Sequence, residues 1–231
     1  RENTGVSDKL NVAVWSCART GSTRCPNKML RPFDTTTLSD IILSKLGSLA
    51  QQGTDVFFAG YEPVFQEKSQ FHNVPFVQRT QESAESHDSA RVIYSFLNSL
   101  PYDYFLHVNG CLPLLKTETI LQFLEQCIQE EKPCFGVVKR NNFFVSLDGS
   151  PMNFPADIST INTKTVTPVH EFAHALYFFR KEDFVRNGFF WDWKEVKYIE
   201  MAGGTEIFDI DTDDDFDTAQ TLWRAHEHSG V

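Results

Sequence analysis

The 231-residue chain has no run of apolar residues long enough to cross a bilayer, which takes about 18 or more. Cations are in deficit, with 21 Lys and Arg against 31 Asp and Glu and a formal net charge of −10. That balance argues against general nucleic-acid binding. The five cysteines (Cys17, Cys25, Cys111, Cys127 and Cys134) are odd in number and none forms C-x-x-C. The pattern fits a reducing, cytoplasmic setting and not a disulfide scaffold. Arg1 to Leu10 carries no secretory signal, and the chain has neither an internal repeat nor a low-complexity tract. It starts with Arg, not Met, so fusion to further domains is left open.

What is present is ordinary in apolar content (41%) and rich in Phe, with 21. The length suits one domain, 1–231, able to bury a full core. Apolar runs at Val12–Trp15, Asp55–Gly60, Val74–Arg79, Tyr104–Asn109, Cys134–Lys139 and Ala175–Phe179 read as strands, with Glu195–Met201 and Glu206–Ile210 as further candidates. Helical spacing marks Leu38–Leu49, Ala90–Leu100, Thr117–Glu131 and Thr218–His228, and Thr117 reads as part of a capping box. This alternation predicts an α/β fold, a parallel or mixed sheet covered on both faces. Residues 141–167, rich in Asn, Pro, Ser and Thr, read as an excursion that serves as a dimerisation hairpin or a lid.

The most informative stretch is Asn11–Leu30. A buried strand leads into a polar turn holding Gly21 and Pro26, with Arg19, Arg24 and Lys28 along it. From Lys9 to Phe33 there is no Asp or Glu, a local reversal of sign in an acidic chain. A small-residue loop after a strand lets backbone N–H groups approach an anion, and guanidinium and ammonium groups add charge-assisted bonds to phosphate oxygens. A solvated surface turn would have the same composition. Neither G-x-x-x-x-G-K-[ST] nor G-x-G-x-x-G is present.

Taken together, Ala18-Arg19-x-Gly21-Ser22-Thr23-Arg24-x-Pro26-x-Lys28-x-Leu30 resembles the nucleotide loop of the sugar-acid cytidylyltransferases, the CMP-sialic acid and CMP-Kdo synthetase family. Two further segments follow in the family's order. Tyr104–Ile120 has the strand, the Pro113-Leu114 loop and the helix, with Arg79 ahead of it as the match to the family's nucleotide-contacting Arg. Phe208-Asp209-Ile210-Asp211-Thr212 resembles the closing D-x-D-T. The resemblance implies a three-layer α/β/α sandwich, a Rossmann-like nucleotidyltransferase with a mostly parallel sheet. It implies transfer of CMP from CTP to a sugar acid with release of pyrophosphate, dependent on Mg²⁺. On it, Ala18, Arg19, Gly21, Ser22, Arg24, Lys28 and Arg79 bind nucleotide. Arg19, Lys28 and Asp211 carry the catalysis. Asp209 and Asp211, on one side of a strand, hold the metal. Asn109, Lys164, His174 and Tyr177 would meet the sugar, and a homodimer is implied.

The chain departs from the family at Met29, where sialic acid synthetases have an Asn that meets cytosine, and at Cys111, where Kdo-type enzymes carry a metal-binding Asp. The arginines that hold a sialate carboxylate are not evident. These departures admit an alternative, a nucleotide- or carbohydrate-binding domain without turnover. A more distant alternative is His170-Glu171-x-x-His174, the zinc-protease H-E-x-x-H, which works only on a helix. Here it precedes a strand-like run, after Pro168. An EF-hand fits poorly, since Asp214 replaces the required Gly and Gln220 stands where Glu is needed.

Overall fold

A computed structural model describes residues 10–228. The reading of Arg1 to Leu10 therefore falls, Leu10 apart, outside the described residues. The strands are β1 (Val12–Cys17), β2 (Val56–Gly60), β3 (Phe76–Gln78), β4 (Tyr104–Val108), β5 (Cys134–Arg140), β6 (Val169–Arg180) and β7 (Lys197–Glu200). They form a single seven-stranded sheet in the order β3-β2-β1-β4-β6-β5-β7. β6 runs antiparallel to both its neighbours, and the other pairings are parallel. The chain leaves β1 toward β2 and β3, then returns to pair β4 on β1's other side. The switch point of the α/β sheet, where a ligand crevice opens beyond the carboxyl ends, is thus between β1 and β4.

Side chains alternate across the sheet, as a strand requires. Val14 and Leu106 join the core under α1 (Leu38–Gln51), α5 (Thr117–Glu130) and α7 (Asp213–His228). Ala13, Trp15, Phe57, Phe105 and Phe179 face the other way. That second face is covered mostly by aromatics and short turns of helix: α3 (Gln81–Glu85), α4 (Ala90–Ile93), a 3-10 turn at Ser95–Ser99, α6 (Lys181–Asn187) and the Phe189–Trp193 segment. Here the abundant Phe is used. Trp15 stacks on Phe57 and takes the edge of Phe96 at 5.5 Å.

Several elements differ from the sequence reading. The expected helix Ala90–Leu100 breaks at Tyr94, because Phe96 and Leu97 turn inward onto the aromatic face. Glu206–Ile210 is not a strand. Gly203 (φ 77°) and Gly204 (φ 67°) turn the chain into a 3-10 turn at Gly204–Ile207, and an irregular loop follows. Glu206 there takes over the capping role expected of Thr117. Its carboxylate accepts from the Lys116 amide (3.0 Å) and the Thr119 hydroxyl (2.6 Å) at the start of α5. α7 starts at Asp213, earlier than expected, because Thr212 and Asp215 cap it reciprocally. Residues 141–167 do leave the sheet. They hold the isolated bridge Val145–Pro151 and a 3-10 turn at Thr163–Thr165.

α2 (Pro63–Phe71) packs so closely on the end of β2 that a Cβ on Gly60 would lie 2.8 Å from Phe65 Cβ. Phe65 is fully buried and that atom cannot swing aside. Gly60→Ala is therefore expected to destabilise by about 1–3 kcal/mol, measured as a lower midpoint in urea. An unchanged midpoint would mean the helix is free to move.

Candidate active site

Beyond the carboxyl ends of β1 and β4 lies a cleft of about 410 Å³. Residues 18–28 form one wall. Thr20 is held by Glu62, whose Oε1 accepts both its amide (3.1 Å) and its hydroxyl (2.5 Å). The far end of the loop is pinned where the Ser39 amide and hydroxyl, at the start of α1, donate to the Met29 carbonyl. The opposite wall is the segment 209–215, a loop that runs into the first turn of α7, and the two are cross-linked. Arg24 donates to Asp211 (2.8 Å), Lys28 Nζ to the Ile210 carbonyl (2.6 Å) and Arg31 to Asp213 (2.6 Å). Asp215 fixes the acidic loop from behind by accepting the Asp211 and Thr212 amides.

Of the residues singled out in the sequence, Ala18, Arg19, Ser22, Arg24, Lys28, Arg79, Asn109 and Asp211 line this cleft together. Gly21 sits in the same loop with open space around its Cα. Asp209 stands beside it, within hydrogen-bond reach of the Asn109 amide nitrogen at 3.4 Å. His174 and Tyr177 lie on β6, which supports the far side of Asn109: the His174 carbonyl accepts from Asn109 Nδ2 at 2.7 Å. Lys164 lies on the exposed 163–165 turn, away from the cleft lining. Cys17, Ile93, Tyr94 and His107, which the sequence reading did not assign to binding, form the floor together with Met29, Gly110 and Cys111. Period-two alternation along β1 and β4 was the available signal. Cys17 and His107 share the parity of Trp15 and Asn109, which puts them on the cleft's side.

Arg79 is 3% exposed and has no carboxylate partner among the described residues. Its guanidinium is held by Ser83 and by the carbonyls of Ser83, Ile93 and Ala18. A buried cation satisfied only by neutral acceptors leaves a positive field at the cleft floor. Arg19 reaches the carbonyls of Ala84 and Ser86 in the same way.

Asp209 is the most perturbed acid. Burial, then the charge of Asp211, raises its carboxyl from 3.8 to about 6, against the pull of Lys28 and His174. Burial likewise keeps the Cys17 thiol above its ordinary value and pushes Cys111 up to about 11. Both are thiols at neutral pH, and neither is poised as a nucleophile.

H-E-x-x-H lies inside β6, so His170 and His174 are separated by about 13 Å along a strand and cannot share one metal. His170 instead pairs with Glu200 of β7 at 2.8 Å. His174 adopts φ 52°, in a bulge where 135 and 137 of β5 pair with 177 and 172 of β6. No group of three or more His, Cys, Asp or Glu that could hold a metal gathers among the described residues. The acids at the cleft are the pair Asp209 and Asp211.

A raised carboxyl makes the folded state take up a proton that the unfolded state lacks. The cost of the ionised Asp209 is present above pH 6 and disappears as pH falls below 3.8. Asp209→Asn is therefore expected to raise the melting temperature of the ligand-free protein at pH 7.5, with the gain shrinking toward pH 4. A variant that melts lower at pH 7.5 would show the carboxylate to be well satisfied.

Solved structures share this architecture at low identity. A CMP:2-keto-3-deoxy-manno-octonic acid synthetase complexed with CTP superposes with TM-score 0.68 at 12% identity, over 94% of this chain and 99% of its own. A 4-diphosphocytidyl-2C-methyl-D-erythritol synthase from Anaerococcus prevotii gives 0.65 at 15%, over 94% and 100%. A cytidylyltransferase from Leptospira borgpetersenii gives 0.64 at 14%, over 94% and 87%. No curated protein sequence matches. The family model for cytidylyltransferases matches residues 17–222, from the end of β1 into α7. With both walls of the cleft inside that match, the chain belongs to the cytidylyltransferase family and is a nucleotidyltransferase enzyme.

Proposed function

We propose that the enzyme, a single domain over 1–231, transfers CMP from CTP to the anomeric hydroxyl of a sugar acid of the sialic acid or Kdo kind, releasing pyrophosphate. The observation that carries this reading is the meeting of a basic loop with an acid pair across one cleft, in a chain matched to the cytidylyltransferases. The superposed CMP:2-keto-3-deoxy-manno-octonic acid synthetase complexed with CTP supports the choice of nucleotide and of sugar-acid class.

In this reading the loop amides after Ala18, with Arg19 and Lys28, hold the phosphates and neutralise charge on the phosphoryl oxygens and the leaving pyrophosphate. Arg24 contributes once the phosphates draw it from Asp211. Two anionic reactants must be held against each other, so the main task of the protein is positioning. Asn109 orients the Asp209 side of the cleft. Asp209 and Asp211 fit a hard divalent cation. One is made costly by burial and by the other's charge, and two carboxylates leave room for the waters and phosphate oxygens that Mg²⁺ keeps. Bound there, Mg²⁺ would act as a Lewis acid on the phosphates. Asn109, His174 and Tyr177 remain the candidates on the sugar side, whereas Lys164 lies apart from the cleft.

Melting the protein with each of the four ribonucleoside triphosphates and Mg²⁺ tests the nucleotide. A ligand at a hundred times its dissociation constant stabilises by about 2.7 kcal/mol. CTP is expected to shift the melt most, Arg19→Ala to abolish the shift, and pyrophosphate release to require a sugar acid. A shift with CTP but no release with any sugar acid would favour a domain that binds without turnover. Equal shifts for all four triphosphates would remove the cytidine assignment.

The excursion exposes Val145, Leu147, Met152 and Ile161, with Leu147 and Ile161 almost wholly in solvent. This is the face proposed for homodimerisation. Light scattering at micromolar concentration is expected to give a dimer, and Leu147→Asp a monomer. A monomeric wild type would leave residues 141–167 as a lid.

A further inference from the structure

The cleft has two chemically distinct ends. Its mouth carries Arg24, Lys28 and Asp211. Its floor carries Cys17, Ile93, Tyr94 and His107, with Arg79 beneath. Phosphates match the first end, and a flat heterocycle matches the second. Met29, also on the floor, has no hydrogen-bonding group to read a base. The floor, where a flat heterocycle fits, does carry a polar group in His107.

His107 is the residue equipped for it. The ring is 8% exposed and lies flat against Trp15, with centroids 4.2 Å apart at 13°. Tyr177 flanks it at 5.5 Å and Tyr94 at 5.7 Å. With Phe190 at 6.3 Å, four aromatic neighbours hold the ring in place. Burial, then the nearby Arg79 cation, drives its pKa down to about 3, so it is neutral at any working pH. Nδ1 is enclosed and has no partner. Nε2 has no protein partner among the described residues either, but it is not enclosed, and it is the ring nitrogen open to the cleft.

A neutral imidazole carries one N–H. An enclosed donor without a partner is rarer and costlier than an enclosed, unused lone pair. The proton is thus assigned to Nε2, and the floor offers one rigid, uncharged donor.

We infer that His107 is a specificity-determining residue that donates Nε2–H to the O2–N3 acceptor edge of the cytosine ring. The donor is buried on the floor, whereas the cations that meet the phosphates stand at the exposed mouth, so it faces the base. The inference rests on the CTP reading and adds to it the group that reads the base.

The test compares dissociation constants of CTP and tripolyphosphate, which has no base, for the wild type, His107→Leu and His107→Gln. Loss of the donor is expected to weaken CTP by roughly tenfold, the worth of one such hydrogen bond, with tripolyphosphate unchanged. His107→Gln, which keeps an amide N–H at similar reach, is expected to recover most of the loss. If wild-type protein binds CTP no better than GTP, the CTP reading itself fails. If it selects CTP and His107→Leu does so equally well, the His107 assignment alone fails. Equal weakening of CTP and tripolyphosphate would make the residue merely structural. Independently of any variant, ¹⁵N spectra of the wild-type imidazole are expected to show the neutral Nε2–H tautomer, perturbed on adding CTP. An Nδ1–H tautomer, or no response to CTP, would overturn the inference.

Discussion

The structure depends on an electrostatic seam between two loops that are distant in sequence. Arg24, Lys28 and Arg31 on one side meet Asp211, the Ile210 carbonyl and Asp213 on the other, across sequence separations of 187, 182 and 182 residues. The basic loop has no regular structure of its own, and the acidic one becomes regular only where it enters α7 at Asp213. Each is held from behind, the basic one by Glu62 and the Met29–Ser39 bonds, the acidic one by Asp215. Exposed ion pairs such as Arg24–Asp211 contribute little stability. Their value here is placement, since they hold cations and carboxylates a few ångströms apart on facing walls of the cleft.

The seam also explains where charge is tolerated. An acidic chain keeps its cation-rich stretch free of Asp and Glu from Lys9 to Phe33, and the carboxylates that neutralise it arrive only on folding. Behind the seam the field is less balanced. Arg79 is buried with carbonyl acceptors and no acid, and Asp209 is held with its carboxyl raised to about 6. Both are costs of desolvation that an anionic ligand and a cation would relieve. The aromatic slab on this face of the sheet excludes water from the floor and fixes the His107 ring.

Legibility from sequence followed locality. The strands β1, β2, β4 and β5 and the helices α1 and α5 were readable because each carries its own period and its own stop signals. Glu206–Ile210 misled because its Ile and Phe residues suit a strand, while the deciding bond, Glu206 to the start of α5, joins segments 90 residues apart. Ala90–Leu100 misled for a similar reason, its apolar residues serving an aromatic face and not a helix stripe. The basic loop, Arg79, Asn109 and Asp211 came from motif spacing and do line one cleft. Tyr94 lies in no motif and His107 is an unmarked position of the Tyr104–Ile120 segment, and only the packing around them places both on the cleft.

The sequence by itself determined the α/β alternation, the sign reversal after β1 and the D-x-D pair near the end. These are local properties of composition and period. Only the tertiary structure decided that β6 would run antiparallel and bulge at His174. It also decided that Lys164 would sit apart from the cleft while Cys17 and His107 floor it. Only there did one carboxyl of the acid pair become hard to ionise. Those outcomes depend on which surfaces meet and how much water they exclude, and a chain does not carry that information until its distant segments are packed together.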